Sequence, residues 1–121
     1  MTGVGAEGID HVSIAVVDLD GAVAFFTGVL GLRQTHAEVN EREGVSEVML
    51  AGKSGGAQVQ LISPVVAGAG ASGGGASGAG ASAGSLSGVA KFLNERGSAI
   101  HHLAIQVADV EVAARTAQAA G

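Results

Sequence analysis

The stretch that decides the fold is Ile9-Asp10-His11-Val12-Ser13-Ile14-Ala15-Val16-Val17-Asp18-Leu19-Asp20. It returns 91 positions later as Ile100-His101-His102-Leu103-Ala104-Ile105-Gln106-Val107-Ala108-Asp109-Val110-Glu111. Five pairs are identical: Ile9/Ile100, His11/His102, Ile14/Ile105, Val16/Val107 and Asp18/Asp109. Self-similarity of this kind marks a supersecondary unit used twice. Each copy carries a histidine at the same place, so pseudo-symmetry can bring two imidazoles to one site.

Working outward, Val12, Ile14 and Val16 alternate with Ile9, His11, Ser13 and Ala15, as in a strand with one face under a helix and one small, polar face. Asp18 or Asp20 supplies a helix N-cap. Ala22, Val23, Phe26, Val29 and Leu30 then follow at helical spacing, and Gly31 stops the helix. Strands are predicted at 33–40, 45–51 and 57–63, with turns at Gly44 and Gly52–Gly56, and Pro64 ends the last of them. Residues 9–66 thus read as a β-α-β-β-β module, preceded by a flexible leader over 1–8.

Residues 67–88 are all Ala, Gly or Ser except Leu86. They offer too little apolar surface to offset chain entropy, so a flexible loop is expected, spanning on the order of 25 Å. It has no P-loop or dinucleotide pattern. Residues 89–121 read as a short helix over 89–95, a strand over 100–107 and an Asp109-capped helix. By the logic of the first module three more strands would follow; the second module is expected to be incomplete.

Composition narrows the function classes. Six basic against eleven acidic residues give a net charge of −5, which repels duplex nucleic acid and anionic membranes on average. The absence of cysteine excludes disulfides and thiolate chemistry. No apolar run reaches the length of a membrane span and no signal pattern opens the chain, so a soluble, cytoplasmic protein is expected.

His11 and His102 are the leading chemical pair, since neutral imidazoles suit Zn, Co, Ni, Mn or Fe. His101 is expected to face away from His102, because successive strand residues alternate. His36 reads as a surface residue of the second strand. Gln60 is open to two readings, a polar strand residue or a functional one. So is Glu47: it shares a strand face with Val45 and Met49, where a carboxylate can exchange protons, or it lies on an exposed edge. Glu38, Glu41 and Glu43 form a solvated acidic turn.

Taken together, the repeat, Ile9-Asp10-His11, Phe25-Phe26 and Val29-Leu30-Gly31-Leu32 resemble the vicinal oxygen chelate superfamily of glyoxalases, bleomycin resistance proteins and dioxygenases. Gly44-Val45-Ser46-Glu47-Val48-Met49-Leu50, Gln58-Val59-Gln60-Leu61-Ile62-Ser63-Pro64 and Gly97-Ser98-Ala99-Ile100-His101-His102 resemble its methylmalonyl-CoA epimerases in particular. The resemblance implies an α+β fold of paired βαβββ modules. It implies a divalent metal (Co²⁺, Mn²⁺, Zn²⁺ or Ni²⁺) held by His11, Gln60 and His102, with Glu47 as a catalytic acid/base. The implied reaction interconverts (2R)- and (2S)-methylmalonyl-CoA, in propionyl-CoA metabolism, by α-proton abstraction through a metal-stabilised enolate. The implied partner is an acyl-CoA thioester, and a homodimer is compatible with it. In the family a fourth ligand, a glutamate that is also the second acid/base, lies on the last strand of the second module. The chain therefore reads as a C-terminally truncated member in which two-base inversion is incomplete. A glyoxalase I-like lyase and a non-catalytic ligand-binding member are the alternatives.

Overall fold

The computed structural model describes residues 3–65 and 88–121. The elements run β1 (Gly8–Ala15), α1 (Leu19–Ala24), β2 (Arg33–Asn40), β3 (Val45–Ala51), β4 (Gln58–Pro64), α2 (Gly88–Arg96), β5 (Ala99–Gln106) and α3 (Val110–Ala120). The loop expected over 67–88 lies outside the described residues except for Gly88, which begins α2. Among the described residues no helix is long and apolar enough to cross a membrane.

One mixed sheet has the order β2-β3-β4-β1-β5. β1 lies between β4, its parallel neighbour, and β5, its antiparallel one. The β1–β5 register makes the repeat a symmetry. His11 pairs with Ala104, Val12 with Leu103 and Ser13 with His102. The repeat operation maps the Val12–Leu103 pair onto itself and exchanges the other two pairs, so a local two-fold passes through Val12–Leu103. His11 and His102 are then diagonal neighbours across two strands, the arrangement that brings side chains on one face into reach.

Two β-bulges flank this axis. Asp10 is the extra residue on β1, between the Ile9–Ile105 and His11–Ala104 pairs. His101 is the extra residue on β5, between the Ser13–His102 and Ile14–Ile100 pairs. They occupy equivalent places in the repeat.

Alternation divides the sheet into two chemically different faces. On one, Leu19, Ala22, Val23 and Phe26 pack against Val16, Val48, Leu50 and Leu61. Leu50 and Leu61 are fully buried, each contributing about 1.5–3 kcal/mol by leaving water. On the other, Val89, Phe92 and Leu93 of α2 pack against Ala15, Ile62 and Val45. This helix covers one end of the face that carries the histidines.

The helix after β1 is shorter than its apolar spacing predicts. Asp18 is the cap, its Oδ1 accepting from the Gly21 N–H at 2.9 Å. After Ala24 the backbone widens into a π turn over Phe25–Val29, with the Leu30 N–H reaching the Phe25 carbonyl at 3.2 Å. Gly31, at φ 77°, makes the left-handed turn that ends it, and the Leu32 N–H bonds the Phe26 carbonyl at 3.0 Å.

Candidate metal and acid/base site

Four side chains in one cross-strand row define the site. Met49 of β3 pairs with Gln60 of β4, Gln60 with Ser13 of β1, and Ser13 with His102 of β5. Directly paired residues project from the same side of a sheet, as do residues two apart on a strand. His11 and Glu47 therefore join this face, each two positions from a member of the row. At ordinary strand spacing Gln60 and His102 stand about 10 Å apart at the backbone. The residue between them is small.

That residue, Ser13, is fully buried. Its Oγ has no hydrogen-bond partner, the only such case among the described buried side chains. A buried unsatisfied hydroxyl costs roughly 1–3 kcal/mol unless water or an ion satisfies it. It lies in the row between Gln60 and His102, where a polar group above the sheet would satisfy it.

The imidazoles of His11 and His102 meet edge to face, with centroids 5.6 Å apart at 73°. His11 Nδ1 lies 2.7 Å from Asp10 Oδ2. A carboxylate only accepts, so Nδ1 carries the proton and Nε2 keeps a free lone pair. His102 Nδ1 lies 2.9 Å from His101 Nδ1. Partial desolvation of this otherwise exposed residue, and after it the charges of His101 and His11, hold the His102 imidazole below its ordinary value of 6.5, which favours the neutral, lone-pair-bearing form.

Gln60 is oriented by its neighbour. Its Nε2 donates to Glu47 Oε1, which commits the amide nitrogen and leaves the carbonyl oxygen as the group available to a ligand. The same bond holds one Glu47 oxygen and leaves the other uncommitted. Both side chains are half-buried.

Among the described residues no three His, Asp or Glu side chains converge into a metal cage. The available donor set is instead two imidazole nitrogens and one amide oxygen. The imidazoles are borderline donors and the amide oxygen a hard one, a set that suits a first-row divalent cation, and the orphaned Ser13 hydroxyl in the same row fits an ion with bound water. The residues present fit such a group.

His101 corrects the expectation drawn from alternation. Its ring lies beside that of His102, centroids 5.2 Å apart, rather than on the opposite face. The bulge is the cause, because the extra residue breaks the period of two. Sequence reasoning also gave no role to Asp10 or Ser13. Asp10 could have been found from the repeat, where it aligns with His101. His36 is exposed on β2, its Nε2 2.9 Å from Glu38 Oε1 and apart from the site.

A cavity of about 460 Å³ borders the histidine face. Lys91, Phe92, Glu95, Arg96 and His101 are among its walls. Phe92 meets the His101 ring at 4.8 Å, and the Arg96 guanidinium lies 5.7 Å from the Phe92 centroid.

With this geometry in hand, the sequence profile of the glyoxalase/bleomycin resistance protein/dioxygenase superfamily matches residues 10–121. A methylmalonyl-CoA epimerase from Mycobacterium tuberculosis is 33% identical, with a TM-score of 0.76 over 100% of this chain and 68% of that one. A variant of the Streptomyces coelicolor methylmalonyl-CoA epimerase, in complex with 2-nitronate-propionyl-CoA, is 31% identical, with a TM-score of 0.72 over 97% of this chain and 74% of that one. The uncharacterized protein YqjC of Bacillus subtilis (strain 168) is 29% identical over 96 residues. That match takes in 79% of this chain but only 54% of YqjC, so the chain spans about half the length of this curated relative.

Proposed function

Because the chain belongs to the glyoxalase/bleomycin resistance protein/dioxygenase superfamily, we propose that it works as a metal-dependent methylmalonyl-CoA epimerase. The observation that carries the proposal is the Gln60–Glu47 hydrogen bond on the same sheet face as the edge-to-face histidines. On this reading it links a proposed cation ligand, Gln60, to a proposed proton acceptor, Glu47. The likeness to two methylmalonyl-CoA epimerases, one of them holding an acyl-CoA, supports the choice of substrate.

His11, His102 and the Gln60 carbonyl would hold the cation. When bound, it polarises the substrate's thioester carbonyl and lowers the cost of carbanionic charge at the α-carbon. Among the chain's own residues, Glu47 supplies the proton-abstracting half of the reaction. Glu47, anchored through one oxygen by Gln60, presents the other to the α-proton and accepts it as the C–H electron pair moves towards the carbonyl. α2 closes one end of the face with Val89, Phe92 and Leu93, which excludes water from that side. Lys91 and Arg96 bring two of the chain's six basic residues to the neighbouring cavity. Beside Glu95, they give that cavity two groups able to contact an anionic coenzyme A.

Incubation with methylmalonyl-CoA and Co²⁺ in D₂O tests the proposal. Deuterium entering at the α-carbon, followed by NMR, is the expected result. No incorporation by folded, metal-loaded protein contradicts it, and turnover of the methylglyoxal–glutathione adduct in its place supports a glyoxalase-type lyase.

A further inference from the structure

The two bulges do more than shape the β1–β5 ladder. Strict alternation would turn Asp10 and His101 away from the face that carries His11 and His102. Each bulge inserts one residue, and the inserted side chain turns back to touch the imidazole that follows it. Asp10 Oδ2 meets His11 Nδ1 at 2.7 Å, and His101 Nδ1 meets His102 Nδ1 at 2.9 Å. In both copies the contact is to Nδ1, leaving Nε2 for a ligand. We infer that Asp10 and His101 are matched positioning residues, one per imidazole: both fix ring orientation, Asp10 alone also fixes the tautomer, and that difference makes the two metal-binding histidines unequal.

The inequality follows from the two acceptors. Asp10 is anionic and only accepts, so it holds His11 with Nδ1 protonated and raises the donor strength of Nε2. His101 is an imidazole, and the pair shares one proton between facing nitrogens. His102 is the donor whenever its Nε2 binds a cation, and a neutral acceptor strengthens that ligand less. His101 is itself held edge-on by Phe92, so it does not depend on His102 for its place. His11 becomes the anchoring ligand and His102 the weaker one. An incidental contact between adjacent, partly exposed side chains is the plain alternative, since Asp10 is 54% exposed. It does not account for two bulges at equivalent repeat positions, both making the same contact.

The consequence for metal binding rests on the proposed metal centre, whereas the tautomer does not, and the experiment separates them. Long-range ¹H–¹⁵N NMR of the full, metal-free chain, above the ordinary imidazole titration range, reads each ring's tautomer directly. His11 is expected in the Nδ1–H form, reverting in Asp10→Ala to the Nε2–H form that free histidine favours. Asp10→Asn, which keeps a carbonyl acceptor, should retain the Nδ1–H form. In a parallel Co²⁺ titration, Asp10→Ala should lose about 10–100-fold in affinity, and His101→Ala less. A His11 tautomer that Asp10→Ala leaves unchanged overturns the inference, as does an equal or larger loss in His101→Ala. The expected tautomers in a chain that binds no Co²⁺ uphold the positioning role and defeat the metal centre.

Discussion

The two copies of the repeat share a pattern and a histidine, yet they live in different surroundings. β1 has a strand on each side, with α1 over one face and α2 over the end of the other. β5 has β1 as its one described neighbour. Its Ile100 is 65% exposed, and Val110 of α3 is 72% exposed. By contrast Leu19, the equivalent of Val110, packs against the buried core, and Val16 is buried where Val107 is only half-buried, although Ile9, the equivalent of Ile100, is itself 48% exposed. The same alternation therefore makes a core element in one place and a surface element in the other. A periodic pattern specifies which residues share a face; neighbours decide whether that face is buried. What the copies keep in common is the histidine side, the part their mutual pairing defines.

The largest asymmetry concerns chemistry, since Glu47 and Gln60 come from β3 and β4 of the first module. Glu47→Gln should lower α-proton exchange about 100–10,000-fold while leaving Co²⁺ affinity within a few-fold, measured by NMR exchange and metal titration. Retained exchange would place the base elsewhere. Packing comes next. Leu61→Ala, in the buried core under α1, should cost about 3 kcal/mol in denaturant unfolding. Ile105→Ala on β5 should cost under about 1 kcal/mol, because that side chain is already 46% exposed. Equal costs would mean that the second copy is buried in solution.

The helix caps sharpen the comparison at smaller scale. Asp18 accepts one backbone N–H, from Gly21, whereas Asp109 accepts two, from Glu111 and Val112 at 3.0 Å each. Alanine at either position should cost about 1 kcal/mol, and more at Asp109 if local hydrogen bonding rather than the buried surroundings governs the caps. Thermal unfolding of both variants decides the order.

The smallest effect is a titration. His102 sits below its usual 6.5, first through partial desolvation and then through His101 and His11. The unfolded chain therefore takes up this proton more readily than the folded one. The associated stability is present above the ordinary imidazole value and is lost as pH falls through the folded value. NMR titration of the metal-free chain should place the His102 midpoint below 6.5. His101→Ala should raise it only in part, because desolvation is the larger cause. A midpoint at or above the usual value would contradict the site's geometry.

Much of this was legible in the residues. The repeat gave the paired histidine strands, and glycines and Pro64 bounded β2, β3 and β4 to within a residue. Asp109 announced its helix by capping chemistry, and of the two candidates for the first helix, Asp18 and Asp20, Asp18 is the cap. The bulges were not legible, because they arise from pairing between strands 91 positions apart and not from local preference. For that reason alternation gave the wrong side for His101. The π turn after Ala24 was hidden as well, since apolar spacing does not distinguish a widened turn from a regular one. The Gln60–Glu47 bond required the β3–β4 register, in which Gln60 pairs with Met49, two residues from Glu47.

Metal stoichiometry tests the central claim, that one motif used twice builds one site. Titration of the chain with Co²⁺, followed by its visible absorption, should saturate at one ion per chain. His11→Ala and His102→Ala should each weaken binding at least about 10-fold, with His11→Ala the more severe. Two ions per chain, or unchanged affinity in both variants, would contradict a centre shared across the repeat.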